Sequence, residues 1–203
     1  MQKFAILGAS LTLVLAACAS ETTSAEKAEC TAEKAGDELS FAEANAVYEC
    51  LSDALHAGYK TGDKRWVNAD HVANYRNWTQ ASTAPAAPGF HTGRFLMTWV
   101  NDVGASEYLK FANNPTIPAG TVLAKESFSV NDQGKVTKGP LFLMEKVAAG
   151  TSPKTQDWYY SMVSAKGVPQ GINVQTACVD CHTGNFSEQG GMGYPVEEVR
   201  LKQ

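Results

Sequence analysis

Cys178-Val179-Asp180-Cys181-His182 constrains what this chain can fold into more than any other stretch. Two thiols separated by two residues can each add to a vinyl group of one haem. The adjacent histidine then falls beneath the iron and binds it through neutral imidazole. The motif is the attachment sequence of a single covalent haem c, with Cys178 and Cys181 as attachment points and His182 as the iron ligand. A chain that carries it must build a cavity for a flat apolar plate, with one wall from this segment and the others from distant parts of the sequence. The motif sits late, with 21 residues after His182. Half a zinc site is the first rival, but a second ligand pair is missing nearby. A thioredoxin-like redox pair is the second, but no βαβ pattern surrounds it.

The chain has 203 residues, enough for one domain with a real core. Its formal net charge of −4 argues against a nucleic-acid partner, which would call for a basic patch. The first 17 residues have the form of a signal peptide. Lys3 is a minimal positive start, Phe4 to Leu15 is an apolar run too short to span a bilayer, and Leu15-Ala16-Ala17-Cys18 resembles a lipobox with Cys18 as acyl acceptor. Ordinary cleavage near Ala17 or Ala19 is the alternative. Both imply export, and the first implies a bacterial cell-envelope protein anchored to a membrane by lipid and facing the periplasm. Residues 18–38, rich in Ala, Glu, Thr, Ser and Lys, read as a flexible tether, and 39–203 as the haem-binding domain. Cys30 and Cys50 remain; an oxidising envelope favours a disulfide between them over two free thiols.

Ser40 and Glu43 make a capping box ahead of Val47, Tyr48, Leu51 and Leu55 at helical spacing, with Gly58 as a stop, so 41–57 is expected to be an amphipathic helix. A second helix is expected over 63–79, with Trp66, Val67, Tyr75 and Trp78 on one side. After the Pro/Gly/Ala loop 80–93 the pattern switches to period two. Strands are expected at 94–101, 120–130, 140–148 and 157–165, with a short helix at 105–112 and a loop at 167–176 before the cysteines. The expected fold is α+β: N-terminal helices, then a mostly antiparallel sheet, then the haem-bearing C-terminal segment.

What occupies the far face of the iron is open at this level. Met97, Met144 and Met162 lie in apolar strands and read as core. Met192 sits in a Gly-rich loop. His56 and His71 lie beside polar residues on helices, and His91 precedes the first strand, where it could approach a haem edge. None compels a sixth ligand, so the distal face reads as open.

HTGRFLMTWVND, IPAGTVLAKESF, GPLFLMEK, DWYYSMV and the late CVDCH together resemble the cytochrome P-460 family, which includes the beta-type cytochromes c-prime; the likeness covers roughly residues 70 to 200. The resemblance implies a mostly antiparallel β fold, one haem c with an open distal face, and often a homodimer. In the P-460 enzymes a lysine is bonded to the haem ring and hydroxylamine is oxidised. In the c-prime relatives that link is absent and nitric oxide or a similar diatomic binds. By position, the cross-linking lysine would be Lys125 and the distal arginine Arg94. Alternation puts Lys125 on the side of Leu123, Ser127 and Ser129, opposite Glu126. A lysine there is buried and paired, neutral or modified, or else its stem packs while its head reaches solvent. Arg94 could bind a haem propionate, a distal ligand or an acidic neighbour. Glu126 and Glu145 read as solvated charges. Hydroxylamine-oxidising members carry a distal carboxylate where this chain has Phe142. Glu145, three residues on, faces the other way. An apolar distal pocket of Phe142, with Phe128 or Trp158, suits an uncharged diatomic better.

Three function classes follow. The first is an oxidoreductase or binder directed at nitric oxide or hydroxylamine, partnered by an envelope electron-transfer protein. The second is a membrane-anchored six-coordinate electron-transfer cytochrome. The third is a lipoprotein in which haem staples a small fold.

Overall fold

The computed structural model describes residues 29–86, 88–172 and 175–202. The leader and Cys18 lie outside the described residues. Helix α1, Phe41–Lys60, starts at the expected capping box: the Glu43 amide donates to Ser40 Oγ (3.3 Å) and the Ser40 amide donates to Glu43 Oε2 (2.9 Å). Ala44, Val47, Tyr48, Leu51, Leu55 and Tyr59 form its buried face. Gly58 does not end the helix. It lies within it because a Cβ there would sit 2.1 Å from the Ala165 carbonyl oxygen, so only glycine admits this contact between helix and sheet end.

The expected helix over 63–79 is much shorter. Only α2, Ala69–Asn74, is α-helical, capped by Asn68, and it runs into a 3₁₀ turn at Tyr75–Asn77. Trp66, expected on the packed side, has a left-handed backbone (φ 69°) and is 83% exposed. Residues 29–38, expected as tether, pack against the sheet. The Cys30–Cys50 disulfide is present, Thr31 bridges Lys135, and the Ala32 amide donates to the Gly134 carbonyl (2.9 Å).

The sheet has seven antiparallel strands: β1 Thr79–Gln80, β2 Phe95–Val100, β3 Val122–Val130, β4 Val136–Lys138, β5 Leu141–Lys146, β6 Trp158–Val163 and β7 Pro169–Ile172. Their order is β1-β2-β3-β5-β6-β7, with β4 beside the far end of β3. The fold is thus α+β, with N-terminal helices and a mostly antiparallel sheet. Helix α3, Asp102–Tyr108, follows β2, a little earlier than the 105–112 expected. The haem motif, expected after a loop, lies on helix α4, Gln175–Asn185.

Register decides which side chains share a face. Phe95, Met97, Trp99, Ala124, Phe128, Leu141, Leu143 and Val163 point toward α1 and α2 and form the first apolar cluster. The alternate residues point the other way. Val100, Leu123, Met144, Trp158 and Tyr160 join Tyr108 and Met192 in a second cluster. Among the described residues no helix is long and apolar enough to cross a membrane.

Glu126 is the main correction on the helical side. It is 1% exposed, not solvated. Its carboxylate accepts from Tyr48 Oη (2.9 Å), Tyr75 Oη, Arg76 Nε (2.6 Å) and Arg76 Nη2 (2.9 Å). A buried charge survives only when paired and hydrogen-bonded, and these two long-range tyrosines and one arginine meet that demand.

Candidate functional site

On the face away from α1, β2, β3, β5 and β6 align Thr98, Lys125, Phe142 and Met162 in one cross-strand row. Arg94 stands at the start of β2 and Tyr160 two residues before Met162. Of these, Arg94, Lys125, Phe142, Tyr160 and Met162, with Leu123 and Met144, form the floor of a cavity of about 560 Å³, within the usual range for cofactor sites. The opposite wall is α4. Helical spacing puts Cys178, Cys181 and His182 on one face of it, at i, i+3 and i+4, and all three line the cavity. Both cysteines are free thiols, and burial first, then the neighbouring Cys181, holds the Cys178 thiol above its usual range.

The His182 tautomer follows from its contact. Nδ1 lies 2.6 Å from the Gly191 carbonyl oxygen, which can only accept, so Nδ1 carries the proton and the Nε2 lone pair is free for a metal. Burial, then the charge of Lys125, lowers the His182 pKa to about 4, which keeps the ring neutral.

Gly191 belongs to a loop that the sequence reading passed over, except as a place for Met192. Gly190, Gly191 and Gly193 all have positive φ (64°, 77°, 66°). That backbone turns carbonyls inward: Gly191 O toward His182, Met192 O and Gly193 O toward Lys125, and Gly190 O toward Trp158 Nε1. Three glycines just after a metal-binding motif were the available signal. Met192 itself is fully buried in the second cluster.

Lys125 is buried. Its Nζ donates to Gly193 O (3.0 Å) and Met192 O (3.3 Å), and burial alone lowers its pKa to about 8. The structure therefore sets a partly neutral amine in the cavity wall. Arg94 and Phe142 also line the cavity. Phe128 does not: three residues from Lys125 along β3, it faces the helices and stacks on Phe95 (ring centres 4.9 Å apart). The same parity that turned Glu145 away excludes it. Trp158 shares the cavity's sheet face but packs in the second cluster, outside the lining. Of the sixth-ligand candidates, Met97 lies on the helical face, and His56 and His71 lie in the helical layer. Met144, Met162 and His91 line the cavity.

The residues present fit a haem. Among the described residues, three buried side-chain polar atoms lack a hydrogen-bond partner: His91 Nδ1, Arg94 Nη1 and Tyr160 Oη. All three belong to residues lining this cavity, and buried polar atoms without partners mark where another group belongs. An apolar floor, two thiols and an imidazole with a free Nε2 make the donor set of a c-type haem. Among the described residues no group of three or more His, Cys, Asp or Glu side chains converges as a zinc site would need. No curated protein matches the chain. The family model described as Cytochrome P460 matches residues 72–189, from within α2 to seven residues beyond the Cys-x-x-Cys-His motif.

Proposed function

The chain belongs to the cytochrome P460 family, a haem-binding cytochrome, and from that premise we propose that it is an exported monohaem c-type cytochrome that binds nitric oxide or a similar small nitrogen species. Cys178 and Cys181 hold the haem through thioethers and His182 ligates the iron through Nε2. When bound, the haem supplies a redox-active iron with affinity for small diatomics. The chain supplies the rest. Gly191 O fixes the His182 ring. Arg94, with its unpaired Nη1, offers a guanidinium to a propionate or a bound anion. Lys125, its amine buried in the cavity wall with a pKa lowered to about 8, is the residue that would lie near a haem edge.

The observation that carries the diatomic reading is the make-up of the lining. Phe142 sits in register between Lys125 and Met162, and among the described residues no Asp or Glu lines the cavity. The carboxylate proton acceptor that the resemblance gives the hydroxylamine-oxidising members is thus missing from the lining, and an uncharged diatomic needs none. Peptide mass mapping of the haem-loaded protein tests the attachment, and nitric oxide titration of its ferrous form tests the ligand. Haem mass on the Cys178–Cys181 peptide and saturable uptake are expected. Rapid hydroxylamine turnover without nitric oxide uptake refutes the reading. A Lys125 peptide fused to the haem would place the chain with the cross-linked members. An envelope electron-transfer partner, lipid attachment at Cys18 and a homodimer belong to the same proposal; they are tested by co-purification, by lipid mass on the N-terminal peptide and by sedimentation.

A further inference from the structure

The turn before β2 is held in a strained backbone conformation. His91 (φ 59°, ψ 41°), Thr92 (φ 59°, ψ 46°) and Gly93 (φ 68°) are three consecutive left-handed residues, two of them with a Cβ. In each such non-glycine residue the Cβ crowds the following carbonyl oxygen, and side chains normally enter this region singly. Strain of this kind persists where the surroundings hold it, and it collects at functional sites. Here it aims one side chain into the cavity. The His91 ring packs edge-on against Phe142 (centres 4.3 Å apart), and its centre is 6.1 Å from that of His182. Its Nδ1 is buried without a partner. Burial, reinforced by Lys125, His182 and Arg94, lowers its pKa to about 3, so the ring is neutral and its lone pair is free.

The 6.1 Å separation discriminates between roles. An imidazole nitrogen bonds a transition metal at about 2 Å, and the ring centre lies about 1 Å further back. Two imidazoles on opposite sides of one metal thus keep their centres about 6 Å apart. A diatomic held between the metal and a hydrogen-bonding His91 would demand roughly 3 Å more. The other cavity-lining candidates, Met144 and Met162, are fixed in floor strands, with Met144 packed in the second cluster.

We infer that His91 is the second axial ligand of the resting iron, opposite His182, and that a small ligand reaches the iron by displacing it. This rests on the haem reading of the cavity and replaces the open distal face expected from sequence. The strained turn gives the displacement a physical basis: a released His91 segment can relax toward ordinary backbone geometry, which lowers the cost of giving up the bond. Apparent ligand affinity is then reduced by the fraction of molecules in which His91 is bound.

The test compares electronic and electron paramagnetic resonance spectra of haem-loaded wild type, His91→Gly and Met162→Leu. Glycine suits the left-handed φ, so the turn survives the first substitution. The wild-type ferric protein is expected to be six-coordinate and low-spin at neutral pH, and Met162→Leu to match it. His91→Gly is expected to be five-coordinate and high-spin, to return to low-spin when free imidazole is added, and to bind carbon monoxide at least tenfold more tightly in the ferrous state. A high-spin wild type overturns the inference without need of any variant. So does a low-spin wild type whose spectrum survives His91→Gly or is lost in Met162→Leu. Mass analysis of the same samples separates the two readings. Haem on the Cys178–Cys181 peptide with a high-spin wild type removes only the His91 assignment; absence of haem from that peptide removes the haem reading and this one with it.

Discussion

Glu126→Gln tests whether the helices are fastened to the sheet by one buried charge. The carboxylate is fully buried and accepts four hydrogen bonds, two from Arg76 and two from Tyr48 and Tyr75. Glutamine keeps the shape and one acceptor oxygen but replaces the other with an NH₂ that faces donors. Either tyrosine hydroxyl can rotate to accept from it; the Arg76 guanidinium cannot. Arg76 then loses its buried counter-charge while its side chain is only 21% exposed, although its Nη2 still donates to Ser52 O (2.6 Å) and the exposed Asp53 carboxylate lies 3.9 Å from its Nη1. Breaking a buried pair by removing one partner costs about 3–5 kcal/mol, and the partial exposure of Arg76 and its surviving bond put this case near the lower end, about 3 kcal/mol. For a domain of this size that corresponds to a fall of about 6–12 °C in Tm. Urea unfolding followed by tryptophan fluorescence measures it. Glu126→Leu combined with Arg76→Met removes both charges and is expected to recover at least half of the loss. A Glu126→Gln cost below about 1 kcal/mol, or a double variant no better than the single, would refute the reasoning.

Three further expectations follow from other parts of the molecule. Replacing Cys30 and Cys50 with serine opens a loop spanning 20 residues and is expected to cost about 3 kcal/mol by the loop-entropy relation, read as a lower urea midpoint with a somewhat steeper slope as the unfolded chain expands. Lys125 gives a pH signature. Its pKa falls from 10.5 when unfolded to about 8 when folded, so the unfolded chain binds more protons between these values and stability rises with pH across that window. Relative to Lys125→Met, wild type should gain about 3 kcal/mol from pH 8 to 10.5 in urea melts of the haem-free protein, and a flat difference would show that Lys125 is not buried. Gly191→Ala forces a Cβ into a left-handed position, 3.2 Å from Gln156 Oε1. It is expected to lower stability by about 1–2 kcal/mol and, by shifting the carbonyl that orients His182, to lower the yield of haem-loaded protein in pyridine haemochrome assays.

What was legible in the sequence was what local chemistry fixes. The Cys-x-x-Cys-His motif carries its ligand geometry within five residues, the capping box of α1 within four, and alternation gives the two sides of each strand; it was the family resemblance that put Lys125, Arg94 and Phe142 at one distal site. Helix ends were less legible. Gly58 carries the signature of a stop, yet close approach of Ala165 is why it is glycine, and a close approach is not written in local sequence. Phe128 is turned away from the cavity by parity, since three residues along a strand reverse the face whatever the side chain's affinity for a haem.

The tertiary structure alone decided matters that depend on groups far apart in the chain. Glu126 looks like any strand-face charge until Tyr48, Tyr75 and Arg76, 50 to 78 residues away, surround its carboxylate. The carbonyl cradle of Gly190 to Gly193 has meaning only once it lies beneath His182 and Lys125. His91 gave no periodic signal, because a left-handed turn has none; its orientation comes from the packing of that turn against Phe142. The sequence by itself determined the donor set for the haem, because two thiols and an imidazole within five residues need only neighbours along the chain. Which groups face that cofactor was settled by sheet register and close packing, which act only when distant segments are brought together.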